Sequence, residues 1–438
     1  MRFMAADVAN ATRGALSGQN AHLDGVSFDS RTLRPGQLFV PIVAERDGHD
    51  FIDDAIARGA GAYLTQRAPQ GRRTAITVPD TLAALIDLAR WGRDRLESTT
   101  KGRVVGITGS VGKTSTKDFA RAALAGSLRT AASDKSFNND QGLPVTILNA
   151  PDDTEALVVE MGMRGFGEIA RLCSIARPNV GVVTAVAEAH TERVGGLEGV
   201  AKAKGEMIEA LSADGTAILN LDDERVAAMR RLTSARILSY GFSASADVSC
   251  ADRVVGDDGR VSMSVVTPWG STKVQVPVPG LHMAHNVLAA IAIAGVCGVD
   301  VGAAATGIES ASVSPMRMES LVTATGARIL SDCYNANPAS MRAALETLAA
   351  LPATRRVAVL GLMAELADAP REHAAIAEFA RSRGVEIIAV STDAYGVAPV
   401  SIEEAAEALN SLGGDGVGLV KGSRVAALER VVSALRRA

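Results

Sequence analysis

The chain has 438 residues, 49 of them acidic and 45 basic, which gives a formal net charge of −4. That balance leaves no basic footprint for nucleic acid, and an aromatic content of 3% disfavours base-stacking surfaces. The four cysteines (Cys173, Cys250, Cys297, Cys333) are scattered without a C-x-x-C pair, so they read as reduced, mostly buried thiols.

Hydrophobic residues make up 47% and charged residues 21%, ordinary values for a globular protein whose length suggests about two to four domains. The first residues lack the apolar core of a signal peptide, because Asp7 interrupts them. The longest apolar run, 287–299, is too short to span a bilayer, stops at Asp300, and reads as a buried helix. These features predict a soluble, cytoplasmic protein that neither binds nucleic acid nor inserts into a membrane.

In chain order, residues 1–100 mix short strands with helices. They end in an amphipathic helix over 81–96 and a polar stretch, 97–102, that reads as a linker. Over 101–313, apolar strand candidates at 104–108, 156–160, 180–184 and 216–219 alternate with helical segments. That order predicts a mostly parallel sheet with crossover helices. From about 237 to 280 the pattern alternates and Asp257-Asp258-Gly259 marks a turn, so an antiparallel appendage is expected. Over 314–438, strands at 357–360, 387–390 and 418–420 lie between helices at 371–382 and 402–411, as in a smaller, Rossmann-like doubly wound domain. The predicted class is α/β with three domains.

The chemistry begins at Thr108-Gly109-Ser110-Val111-Gly112-Lys113-Thr114-Ser115, which follows an apolar strand and precedes a helix. Backbone N–H groups and a helix N-terminus can cradle phosphate there, Lys113 supplies a point charge, and the Thr114 hydroxyl can hold Mg²⁺. The strict G-x-x-x-x-G-K-[ST] loop fails, because Ile107 stands where its first glycine belongs. Glu160 ends another strand, where open α/β sheets bind ligands, and its oxygens suit Mg²⁺. His190, with Glu192, follows the 180–184 strand at the same sheet edge. Lys202 and Lys204 read on their own as a solvated basic helix face. Turn chemistry accounts for Asn335-Ala336-Asn337-Pro338, but not for Asp332 before it.

Together these residues resemble the Mur ligases, ATP-dependent amide-forming enzymes of peptidoglycan precursor and cell-wall synthesis, over nearly the whole chain. The family's T-G-x-x-G-K-T-[ST] loop matches residues 108–115, so the missing first glycine becomes expected. The resemblance implies that Gly109, Ser110, Val111, Gly112, Lys113, Thr114 and Ser115 bind ATP. Asn286 would lie near the adenine, and Arg317 and Asp332 would reach ATP from the third domain. It implies that Thr114, Glu160, His190 and a carbamylated Lys204 hold Mg²⁺, and that Lys113, Glu160, His190 and Lys204 form the catalytic set.

Within the family the resemblance is to the branch that adds D-alanyl-D-alanine to UDP-N-acetylmuramoyl-tripeptide. Tyr334-Asn335-Ala336-Asn337-Pro338, Ser136-Phe137-Asn138-Asn139 and Phe28-Asp29-Ser30-Arg31 carry it, and Lys421-Gly422-Ser423-Arg424 also fits. Asp29, Ser30, Arg31, Asn138, Asn139, Asn335 and Asn337 would then contact substrate. Residues 1–100 would hold the uridine nucleotide, 101–313 ATP and 314–438 the incoming dipeptide, in a monomer working through an acyl phosphate. The D-N-P-R sequence of the diaminopimelate-adding branch is absent, while Thr184-Ala185-Val186-Ala187 departs from the family's T-N-I-G. The alternatives are another amide ligase of the superfamily, such as a folylpolyglutamate synthase, or a non-catalytic phosphate-loop nucleotide sensor.

Overall fold

The computed structural model of the chain describes residues 1–69, 73–134, 136–188 and 191–436. Three sheets and a two-stranded ribbon organise it, in an α/β arrangement that is mostly parallel.

The first five-stranded sheet runs, in spatial order, Ala15–Ser17, Ala75–Thr77, Ala62–Thr65, Leu38–Phe39 and Val26–Ser27; only the first pair is antiparallel. The helix Thr81–Arg95 leaves this sheet with Asp80 as N-cap, its carboxylate accepting from Leu82 N (2.8 Å) and Ala83 N (3.0 Å). Its apolar face, including Leu85 and Leu88, packs with Leu143, Ile147 and Leu148 of the helix Gly142–Asn149. Arg93 is buried at 1% exposure because its guanidinium caps another helix end, with Nε 2.8 Å from Ala176 O. The polar stretch that reads as a linker in the sequence is instead a short helix, Glu97–Thr100. Its Thr100 is fully buried and donates to Leu96 O at 2.7 Å, so the hydroxyl is satisfied inside the fold rather than by water.

The nine-stranded sheet holds the phosphate-loop strand, Val104–Thr108, between Ala156–Glu160 and Val180–Val183, with Thr216–Asn220 and Arg236–Gly241 continuing the parallel run. All five residues of the phosphate-loop strand are buried, which is why it is apolar up to its final Thr108 instead of alternating. Arg236–Gly241 is itself parallel, so the antiparallel appendage consists of Val248–Val255, Val261–Thr267 and Gly270–Gln275. The expected buried helix is present but shifted toward the N-terminus, Leu281–Val296, stopping three residues before the end of the apolar run, and it packs against the phosphate-loop helix Lys113–Ala125. The four cysteines are free and buried.

The third sheet runs Glu319–Val322, Arg328–Ser331, Gly416–Lys421, Arg355–Leu360, Glu386–Val390 and Pro399–Val400, antiparallel only at its first pair. The last long strand inserts between two earlier ones, so the carboxyl ends of Arg328–Ser331 and Gly416–Lys421 lie side by side. No helix among the described residues is long and apolar enough to cross a membrane.

Candidate active site

The carboxyl ends of the central strands open onto a cavity of about 620 Å³. Val104–Thr108 connects onward to one side of the sheet and its neighbour Val180–Val183 to the other, a reversal that opens a crevice at strand ends. The cavity is lined by the loop 109–115, by Asn138, Glu160 and Lys204, by His282 and Asn286, and by Arg317, Asp332 and Asn335 from the third sheet's side.

The loop's shape depends on two glycines. Gly109 has φ +149° and Gly112 φ +83°, conformations a side chain resists. A Cβ on Gly109 would stand 1.9 Å from Thr184 Oγ1, and one on Gly112 2.5 Å from Asn286 Oδ1. The segment after Val180–Val183 clasps the loop from behind. Ser110 N donates to Ala185 O (2.7 Å), Ser110 Oγ donates to Ala187 O (2.9 Å), and Thr184 Oγ1 donates to Val111 O (2.5 Å). Lys113 starts the helix and folds back on the loop, donating to Gly109 O at 2.7 Å. Burial pushes its pKa down, and Glu160 opposes that shift while Arg317 adds to it.

Glu160, 1% exposed, is held at both oxygens: Thr114 Oγ1 donates at 2.9 Å and Asn138 Nδ2 at 2.8 Å. Its own amide donates to Ser133 Oγ (3.2 Å). A buried carboxylate beside a hydroxyl at a phosphate loop is a hard-oxygen donor set that fits Mg²⁺. Arg317 joins this set from across the cleft, Nη2 lying 3.3 Å from Thr114 Oγ1 and the guanidinium 4.3 Å above the Tyr334 ring. Its neighbours Met316 (φ +62°) and Met318 (φ +54°) both adopt the left-handed conformation, and Ser314 N is tied to Asp118 at 2.8 Å.

The two lysines of the helix Leu197–Glu209 separate as i, i+2 geometry demands. Lys202 is exposed, 5.6 Å over the Phe166 ring, whereas Lys204 is 3% exposed and lines the cavity. Burial holds the Lys204 pKa well below its ordinary value, and the nearby Lys113 lowers it further. His190 lies outside the described residues, and among those described no three His, Cys, Asp or Glu side chains gather around one point.

Several expected contact residues have local work of their own. Asp332 accepts from Lys421 Nζ at 2.5 Å, a buried pair at the ends of adjacent strands. Asn337 caps the helix Pro338–Ala350, accepting from Ser340 N at 2.9 Å, with Pro338 at the first helical position. Asn139 Oδ1 accepts from Gly142 N at 2.9 Å, and Asn335 Oδ1 accepts from Ala336 N at 2.9 Å. Asp29 and Arg31 pair with each other in a bidentate fork (2.9 and 2.8 Å), and Ser30 is buried between them. They do not line the 620 Å³ cavity, but the adjacent Phe28 packs 5.7 Å from Phe137, two positions before Asn139.

Sequence reasoning missed His282. It is one turn before Asn286 on the same helix face, and its Nδ1 is buried without a partner among the described residues. Burial lowers its pKa to about 4, a shift that Asp332 resists and Lys421 and His285 reinforce. Nothing in Leu281-His282-Met283 signals this locally; the unpartnered nitrogen emerges only once the third sheet stands opposite. Thr184 and Ser133, which brace the loop and Glu160, were equally invisible, because their partners lie far off in sequence.

Three comparisons bear on this geometry. The Mur ligase family catalytic domain matches residues 22–90, the Mur ligase middle domain 107–294, and the Mur ligase glutamate ligase domain 316–438. The UDP-N-acetylmuramoyl-tripeptide–D-alanyl-D-alanine ligase of Escherichia coli (strain K12) is 36% identical over 446 aligned residues, covering 97% of this chain and 96% of that one. A crystal structure of MurF from Acinetobacter baumannii superposes with a TM-score of 0.89 at 28% identity, covering 100% of this chain and 99% of that one. The MurF ligase of Thermotoga maritima in complex with ADP gives 0.81 at 27% identity, covering 94% and 97%.

Proposed function

The chain belongs to the Mur ligase family, and from that premise we propose that it joins D-alanyl-D-alanine to UDP-N-acetylmuramoyl-tripeptide in an ATP-driven reaction. The observation that carries the reading is the convergence on one cavity of the phosphate loop, the Glu160–Thr114 pair and buried Lys204 with residues of the third sheet. The relatives named for that activity supply the substrates.

In this reading the loop amides and Lys113 take the ATP phosphates, and Lys113 exchanges its contact with Gly109 O for phosphate oxygen. Arg317 adds charge from the opposite side, and Asn286 faces the nucleoside. Mg²⁺, held by Thr114 and Glu160, would neutralise phosphate charge when bound. Lys204 with His190 would serve a second ion. Two buried lysines side by side repel, and carbamylation of Lys204 would turn that repulsion into attraction while supplying an oxygen ligand. The tripeptide carboxylate attacks the γ-phosphate and forms an acyl phosphate. The dipeptide amine then displaces phosphate to form the amide, and the walls keep water from the intermediate. Asp29, Ser30 and Arg31 would hold the uridine diphosphate, with Asn138 and Asn139 linking that site to the cavity. Residues 1–100, 101–313 and 314–438 would then serve as the nucleotide-sugar, ATP and dipeptide domains.

The test is ADP release with UDP-N-acetylmuramoyl-tripeptide, with and without D-alanyl-D-alanine. Release that requires both, with product of the combined mass, is the expected result. Release that ignores the dipeptide, or that needs a folate and glutamate instead, would overturn the assignment.

A further inference from the structure

The cavity's walls differ in chemistry. Six basic side chains line it: Lys113, Arg164, Lys204, Arg317, Lys421 and Arg424. Lys113 and Arg317 are engaged at the phosphate loop, and Lys204 is buried beside them. Arg164 belongs to the central wall. On the third-sheet wall, Lys421 is consumed by Asp332 and by the carbonyls of Asp332 (3.4 Å) and Asn335 (3.1 Å). That leaves Arg424, whose side chain is 59% exposed, as the accessible cation of this wall.

Its placement is built. Gly422 packs so tightly that a Cβ would meet Leu428 Cδ1 at 3.0 Å and Gly361 Cα at 3.1 Å. Ser423 donates twice to Leu362 O, from N (2.9 Å) and from Oγ (2.5 Å), and the turn Arg424–Ala426 follows at once. Glu429 Oε1 lies 3.2 Å from Arg424 Nη1; this carboxylate is half-buried and its Oε2 has no hydrogen-bond partner among the described residues, so it can hold Nη1 while the rest of the guanidinium meets a second carboxylate. Beside it Val425 is 72% exposed, more than any other large hydrophobic residue described, and it lines the cavity with Ala339, Ala343 and Ala364. A bare valine beside the arginine, and alanine methyls lining the same cavity, suit a ligand with small apolar side chains and a carboxylate.

We propose that Arg424 binds the terminal carboxylate of the incoming dipeptide, that Val425 packs its methyl groups, and that Glu429 positions the arginine. The proposal rests on the ligase reading and adds to it the residue that distinguishes the dipeptide's free acid from a capped end. Arginine suits the task because its planar fork meets a carboxylate with two parallel hydrogen bonds, which a lysine cannot do.

The test compares D-alanyl-D-alanine with its C-terminal amide as acceptors, in the wild type and in Arg424→Ala, with Arg424→Gln as a second variant. Losing a charge-assisted contact should lower kcat/KM for the acid on the order of 10–100-fold. The amide, which never had the contact, should react alike in all three proteins, so the acid-over-amide preference collapses in both variants. KM for ATP and for the nucleotide-sugar should not move. An Arg424 variant that keeps the preference, or that lowers both acceptors equally, overturns the proposal. A wild type that uses neither acceptor overturns the ligase reading instead.

Discussion

Gly109→Ala tests whether the loop's shape is set by close approach. The added Cβ would lie 1.9 Å from Thr184 Oγ1 and 3.1 Å from Ala185 N, at a φ of +149°. Relief requires Thr184 to turn away from Val111 O (2.5 Å) and Thr108 O (3.2 Å). The hydroxyl has one hydrogen to share between these two carbonyls, so losing it costs about 1 kcal/mol, and with roughly 1–3 kcal/mol of backbone strain the local penalty is about 2–4 kcal/mol. The loop escapes most of it by leaving its phosphate-ready shape, so the penalty should appear in ligand affinity. Taking the middle of that range, about 3 kcal/mol, ADP should bind on the order of 100-fold more weakly by calorimetry, with the melting temperature little changed. Adding Thr184→Ala removes the 1.9 Å contact but leaves Ala185 N in place, so the double variant should recover about tenfold. Wild-type ADP affinity in Gly109→Ala, or no recovery in the double variant, would refute the argument.

Two further outcomes follow from the buried basic groups. Lys204→Ala should be nearly inactive in the ADP-release assay and Lys202→Ala close to wild type, since one lines the cavity and the other is exposed; normal turnover by Lys204→Ala would remove Lys204 from the machinery. His282 has its pKa lowered to about 4 by burial, against 6.5 for a free histidine. The unfolded chain therefore binds a proton between those values that the folded chain refuses, and stability falls as pH drops through that window. Thermal melts at pH 7 and pH 4.5 should show His282→Gln losing less stability than wild type, by roughly 2–3 kcal/mol; equal losses would contradict the assignment.

The strands around the site were legible because each is short, wholly buried and therefore apolar up to its last residue; Ala156–Glu160 and Val104–Thr108 fall where the sequence places them. Asn335-Ala336-Asn337-Pro338 reads in the sequence only as a turn, and the structure adds that Asn337 caps the helix Pro338–Ala350. The polarity of 97–102 misled, because Thr100 satisfies its hydroxyl inside its own turn and can be buried. Lys204 shows the same limit in reverse: taken alone, a lysine on a helix suggests solvent, and only the resemblance moved it inward. The clasp of Thr184 and Ser110 on the loop, and the orphaned nitrogen of His282, depend on neighbours more than 40 residues away. No local pattern encodes them.

The buried cysteines bear on how the protein meets oxidants and electrophiles. Burial pushes Cys173 and Cys297 up to about 12 and Cys333 to about 11, and it raises Cys250 as well. Thiolate is the reactive species, so near neutral pH a peroxide or a maleimide meets almost none. Cys173 Sγ sits 3.7 Å from both Met161 Sδ and Met207 Sδ, and Gly106 of the phosphate-loop strand leaves room for those methionines. The sulfur behind the loop is thereby packing material rather than a redox handle. One cysteine placed at exposed Val425 would accordingly be the preferred site for a thiol-directed fluorophore, with the native sequence serving as its own silent background.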